Sequence, residues 1–169
     1  MLKKMFPAFA AVVLLAACSN SDTSTASGAA GAGGAGGAGG ARTARPGSQE
    51  DLVASVGDRV FFDTDKSTIA GSSPAARNNG QTLDKQAAWL KQYPQNMVQL
   101  AGNTDERGTT EYNLALGQRR AMAAQAYLIA RGVAQSRITV VSFGKERPTA
   151  LGSTADAWGQ NRNATTSVR

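Results

Sequence analysis

A carboxylate and a guanidinium that converge on one cleft can clamp a zwitterion. The carboxylate takes the ammonium and the planar guanidinium fork takes the other carboxylate. Asp105 and Arg120 are the candidates for such a pair. Asp105 lies in the polar run Asn103-Thr104-Asp105-Glu106-Arg107-Gly108. That run reads as a loop between the end of a strand and the first turns of a helix, a place where rigid elements on both sides can hold a ligand-binding loop. Asn113 and Arg120 share one side of that helix, about 20° apart, on the flank of its apolar stripe. Arg120 is therefore expected at the rim of the core, near the loop that carries Asp105. The same residue types also fit a structural ion pair between the two, or solvated charges. Glu106, Arg107, Glu111 and Arg119 read as ordinary surface charges.

Composition removes most other chemistries. The 169 residues include no His and one Cys. Without histidine there is no Ser-His-Asp or Cys-His arrangement, no His-ligated zinc centre and no ordinary pH switch. A single cysteine cannot form an intramolecular disulfide or a Cys-rich zinc site. No metal or cofactor is expected. A glycosidase would need two carboxylates across a cleft, one with a raised pKa. Asp63, Asp65, Asp105, Glu106 and Glu111 lie in short polar turns with nothing apolar nearby to desolvate them, so a binder is expected rather than an enzyme. The net charge of +6 points to an acidic partner without choosing one. Few aromatic residues interleave the basic ones, which disfavours nucleic acid.

The elements that must position this pair begin near Glu50, and the domain is expected over 50–169. Arg59-Val60-Phe61-Phe62 reads as a short buried strand followed by a turn. Gln81 to Tyr93 reads as a helix with Leu83, Ala87 and Leu90 on one face, stopped by Pro94. Met97 to Gly102 reads as a second strand. A long helix is expected from a Thr109 or Thr110 cap through Arg131, ended by Gly132, with Leu114, Ala121, Ala124 and Leu128 inward. Arg137 to Phe143 reads as a third strand, Asp156 to Arg162 as a short helix, and Ala164 to Val168 as a final edge strand. The order implies an α+β fold, a β-α-β-α-β sandwich with helices packed on one face of a mixed sheet.

The first 49 residues have a different character. Lys3 and Lys4 precede an apolar run from Phe6 to Ala17 that is too short to span a bilayer, so residues 1–17 read as a cleaved leader. Leu15-Ala16-Ala17-Cys18 resembles a bacterial lipobox, which would make Cys18 the lipidated N-terminus. Stable anchoring takes at least two acyl chains. An ordinary secretory leader followed by a free thiol is the other reading. Ser19, rather than Asp, follows Cys18 and is expected to send the anchor to the outer membrane. Removing Lys3 and Lys4 lowers the net charge to +6 − 2 = +4. Residues 18–49 read as a tether, and 28–41 are only Gly and Ala. Such a chain would have a mean span of about 30 Å and could extend to about 100 Å.

Four stretches then fall in register with a known pattern. They are Phe61-Phe62-Asp63-Thr64-Asp65-Lys66; Gly102 to Thr109 with Tyr112-Asn113; Arg119-Arg120-Ala121; and Ser142-Phe143-Gly144-Lys145-Glu146-Arg147-Pro148. Together they resemble the OmpA C-terminal-like domain family, over about Val56 to Arg169. The leader and tether resemble the layout of its lipid-anchored members. The resemblance implies non-covalent binding of the peptidoglycan stem peptide through meso-diaminopimelate. It assigns Asp105 to the ligand ammonium, Arg120 to a carboxylate and Asn113 to support of the same pocket. It also places Asp63 in a loop facing the ligand, offers Thr104 as a hydroxyl or amide donor, and matches Arg162 to the first arginine of a C-terminal Asn-Arg-Arg. Here the second arginine is Asn163, which removes any contribution from that side chain. The implied partners are peptidoglycan, TolB and the other Tol components, with the outer membrane reached through the lipid anchor and the domain in the periplasm. The implied role is to link outer membrane to wall, also during constriction in cell division. A generic OmpA-like wall binder outside the Tol system would carry much the same residues.

Overall fold

The computed structural model describes residues 44–169. The leader, Cys18 and the Gly/Ala tract lie outside the described residues. The last residues assigned to the tether belong to the domain. Asn96 donates to the Gly47 carbonyl, and the Gln49 side chain bonds Thr166 O and Val168 N. Ser48 caps a helix, α1 (Gln49–Ser55), that the sequence reading lacked. Leu52 is its one buried residue and the adjacent Val53 is exposed, so its apolar residues show no period.

The remaining elements are β1 (Arg59–Phe61), α2 (Asn79–Gln92), β2 (Val98–Asn103), α3 (Thr110–Ala130), β3 (Ile138–Gly144), α4 (Ala155–Asn161) and β4 (Asn163–Val168). The strands form one mixed sheet in the order β1-β4-β2-β3. β2 runs parallel to β3, and β4 is antiparallel to both β1 and β2. This is the expected α+β architecture, with α3 packed along β2 and β3 and α2 beside it. Val98 and Leu100 of β2 meet Leu83 and Leu90 of α2 and Ala121, Ala124 and Leu128 of α3 in a continuous core.

Two further expectations are corrected. β4 is an interior strand, not an edge. Its polarity suggested an edge, but its buried polar side chains are paired. Thr166 Oγ1 donates to Gln86 Oε1 at 2.9 Å, and Asn163 Oδ1 accepts from Asn103 Nδ2 at 2.8 Å. On α3, Leu114 is exposed and Leu116 is buried in its place. The helix turns this way because Gly117 lies against Gly102 of β2. A Cβ on either glycine would collide with the backbone of the other. Thr109 caps α3 through the Tyr112 amide, and Gly132, at φ 89°, ends it.

Candidate functional site

The close approach of Gly117 to Gly102 sets the depth of the next turn of α3. Arg120 is drawn against the end of β2 and is fully buried, deeper than the rim position expected. Its guanidinium is held by backbone carbonyls only. Nε donates to Lys66 O at 2.9 Å, Nη1 to Asn103 O at 2.8 Å and Nη2 to Asp63 O at 3.2 Å. The Phe62 ring lies 5.2 Å from Cζ. A guanidinium has five N–H donors, so two remain, one on each Nη. Among the described residues no carboxylate pairs with it. Burial pushes its pKa down to about 10, and the Arg162 cation adds to that push. At neutral pH it is still a cation, buried and without an anion.

Asp105 follows β2 and is also nearly buried. It does not pair with Arg120. Arg107 approaches it with Nη2 2.7 Å from Oδ2 and Nε 3.1 Å from Oδ1, and the Arg107 amide also donates to Oδ1 at 3.2 Å. Arg162 Nη1 reaches Oδ2 at 3.3 Å. Burial pushes the Asp105 carboxyl up, but the hydrogen bonds and charge of Arg107, with help from Arg162, outweigh it and leave it below the usual range. Arg107 is thus not the ordinary surface charge expected. Its Cζ also lies 4.3 Å from the centre of the Trp158 ring of α4, whose Nε1 donates to Glu106 Oε1 at 3.1 Å. Neither tie was visible locally, because Trp158 is about fifty residues away.

The other expected residues take distinct places. Asn113 Nδ2 donates to Arg107 O and Thr109 O, at 2.8 and 3.0 Å, and so braces the Asp105 loop onto α3. Thr104 Oγ1 donates to Asp105 O, and its amide donates to Gly144 O. Arg162 is anchored by Nε on Phe62 O at 3.0 Å. Asp105, Arg120, Asn113, Thr104 and Arg162 all line one pocket of about 260 Å³. Asp63 does not bring its carboxylate there. Its oxygens accept from Ser72 N, Ser72 Oγ and Ser73 N at 2.8 to 3.1 Å, and only its carbonyl faces Arg120. The Ser73 and Ser72 hydrogen bonds hold it well below the usual carboxylate range. The loop's contribution to the lining is Thr64 and Asp65 instead. Tyr112 Oη reaches Asp65 Oδ1 at 3.3 Å, joining α3 to that loop.

The pocket therefore offers a carboxylate already in contact with cations, and a buried guanidinium with spare donors. This arrangement suits a ligand that carries both an ammonium and a carboxylate.

Known proteins resemble the chain in sequence and in fold. The sequence model of the OmpA family matches residues 61–163. The chain is 50% identical over 123 residues to the peptidoglycan-associated lipoprotein of Rhizobium meliloti, covering 73% of this chain and 66% of that protein. It is 50% identical over 123 residues to the one from Brucella melitensis, covering 73% and 70%. The chain thus spans just under two thirds of the Rhizobium relative. Among solved structures, the peptidoglycan-associated lipoprotein from Burkholderia pseudomallei matches with a TM-score of 0.60 and 41% identity, over 66% of this chain and 90% of that one. The C-terminal domain of Helicobacter pylori MotB matches with a TM-score of 0.56 at 18% identity, over 66% and 84%, a likeness of fold.

Proposed function

The chain belongs to the OmpA family, and from that premise we propose that it is an outer-membrane lipoprotein whose periplasmic domain binds peptidoglycan non-covalently through meso-diaminopimelate. It is a binding protein and not an enzyme, like the peptidoglycan-associated lipoproteins it resembles. The observation that carries the reading is Arg120, a buried guanidinium with spare donors and no anion, in the same pocket as Asp105. In a stem peptide the side-chain end of meso-diaminopimelate presents one free ammonium and one free carboxylate. Arg120 takes the carboxylate and Asp105 the ammonium. Arg162 and Thr104 close the pocket around Asp105, and Asn113 holds the loop in place. Asp63 acts through its carbonyl, by orienting Arg120.

Lipidation at Cys18, after removal of residues 1–17, anchors the chain, and the tether lets the domain reach the wall. Partnership with TolB in the Tol-Pal system, and a part in envelope integrity and constriction during cell division, belong to the same proposal. They are supported by the similarity to the peptidoglycan-associated lipoproteins of Rhizobium and Brucella.

Co-sedimentation with purified walls tests the binding. The full-length protein should pellet with diaminopimelate-type peptidoglycan and stay in solution with lysine-type peptidoglycan, which lacks the second carboxylate. Equal recovery on both walls would count against the pocket. Capture of TolB from an envelope extract tests the Tol assignment, and loss of outer-membrane anchorage in Cys18→Ala tests the lipid.

A further inference from the structure

We propose that Arg107 is a built-in counter-cation for Asp105 that the ligand's ammonium must displace, so that the contact to Arg120 supplies most of the affinity and the contact to Asp105, a near-balanced exchange, adds little. This rests on the wall-binding reading above.

Occupancy around Asp105 forces the exchange. A carboxylate offers about four acceptor positions, and Asp105 has four donors on it: Arg107 Nε and amide on Oδ1, and Arg107 Nη2 and Arg162 Nη1 on Oδ2. An arriving ammonium finds no free position, so a donor has to leave. Arg162 is held in place, with its side chain only 15% exposed and its Nε on Phe62 O. Arg107 is the partner that can move, with its side chain 44% exposed. It also has somewhere to stay. Its guanidinium already lies on the Trp158 ring, next to the Glu106 carboxylate that the same indole engages. On losing Asp105 it keeps a π face and a neighbouring negative charge.

The two halves of the site therefore change differently on binding. At Asp105 one cation replaces another, a near-balanced exchange. At Arg120 an anion arrives where there was none, on donors that had no partner. A ligand with an amine alone must drive the exchange and gains little. A ligand with a carboxylate alone can use Arg120 and leave Arg107 in place.

The test is calorimetric titration of the full-length protein in detergent, wild type and Arg107→Ala. Three tripeptides of the form L-Ala-γ-D-Glu-X serve as probes, with X as meso-diaminopimelate, as 2-aminopimelate, which lacks the ammonium, or as lysine, which lacks the carboxylate. With the wild type, the 2-aminopimelate peptide should lose less than about tenfold in affinity and the lysine peptide more than about a hundredfold. Arg107→Ala should tighten the diaminopimelate peptide by about fivefold or more and leave the 2-aminopimelate peptide unimproved. An Arg107→Ala protein that binds the diaminopimelate peptide more weakly, or shifts both peptides by the same factor, overturns the counter-cation. If the wild type does not bind the diaminopimelate peptide at all, the wall-binding reading falls and this inference falls with it.

Discussion

In the loop after β1, Asp63 turns its carboxylate onto the amides and hydroxyl of Ser72 and Ser73 and gives the pocket only its carbonyl. In the loop after β2, Asp105 gives the pocket its carboxylate, and its side-chain partners are the arginines Arg107 and Arg162. Both carboxyl groups are held below their ordinary range. A depressed carboxyl therefore does not mark the functional residue. The partners do. Neutral donors from the same loop make a staple, because a ligand cation has nothing to exchange with. A mobile cation makes a carboxylate that another cation can claim.

The largest effect should come from the residue that both loops serve. Arg120→Met keeps most of the volume but leaves the carbonyls of Asp63, Lys66 and Asn103 without their donors. Binding of the diaminopimelate peptide should fall at least about a hundredfold. Unpaired carbonyls cost about 1–3 kcal/mol each when buried, and release from carrying a buried, unpaired charge offsets part of that. Stability measured by denaturant should therefore fall by less than the sum of the three. Retention of wild-type affinity would remove Arg120 from the site.

Substituting each aspartate in turn separates the two loops. Asp105→Asn should weaken the peptide by about tenfold, less than the loss at Arg120, because Arg107 no longer has to be displaced. Its stability should fall as well, because Arg107 and Arg162 lose the anion they pair with. Asp63→Ala should spare binding, with stability lower by about 1–3 kcal/mol through the lost loop hydrogen bonds and affinity near wild type well below the melting temperature. If Asp63→Ala abolishes binding while the domain stays folded, the distinction between staple and exchangeable carboxylate is lost.

How much of this could be read from residue order depends on the distance over which each feature is decided. The α3 caps, the Pro94 stop and the β-strands rest on local composition and were legible to within a residue or two. So was the placing of Asp105 in a loop before the helix that carries Arg120. The depth of Arg120 was not, because a helical wheel treats the stripe as symmetric, whereas Gly117 lets one flank sink onto β2. The use of Arg107 depends on Trp158, and that of Asp63 on serines nine and ten residues further on. The interior place of β4 depends on Gln86 and Asn103 meeting its polar side chains. Each of these is a tertiary pairing that hydropathy does not encode.

The response to pH separates the groups more gently. For the two aspartates the folded value is depressed, so their stabilisation is fully present above the ordinary carboxylate value of about 4 and is lost as pH falls through the lower folded values. Acid unfolding should begin well below pH about 4 and shift upward in Asp63→Ala. In Arg120 the shift disfavours the charged form instead. Its folded value is pushed down to about 10, so above that pH the unfolded chain holds the proton more tightly. Stability gains from this residue as pH rises past 10, while affinity for a carboxylate ligand is lost there. Between about pH 5 and 8 both should be flat, since no histidine titrates. A step in peptide affinity near neutrality would point to a titrating group other than these.

The smallest expected change tests the contact that ties the β1 loop to α3. Tyr112 is 46% exposed, and its hydroxyl lies 3.3 Å from Asp65 Oδ1, a long contact open to water. Tyr112→Phe keeps the ring and removes only that donor. Stability should change by no more than about 0.5 kcal/mol, and peptide affinity by no more than about twofold. The sign of any change matters as much as its size. Asp65 is the carboxylate that the β1 loop does place in the pocket lining, and without the phenol it would be a second exchangeable acceptor beside Asp105. A rise in affinity well beyond twofold for the ammonium-bearing peptide, with none for its amine-free analogue, would show both loops contributing a carboxylate to the ligand and would end the contrast between them.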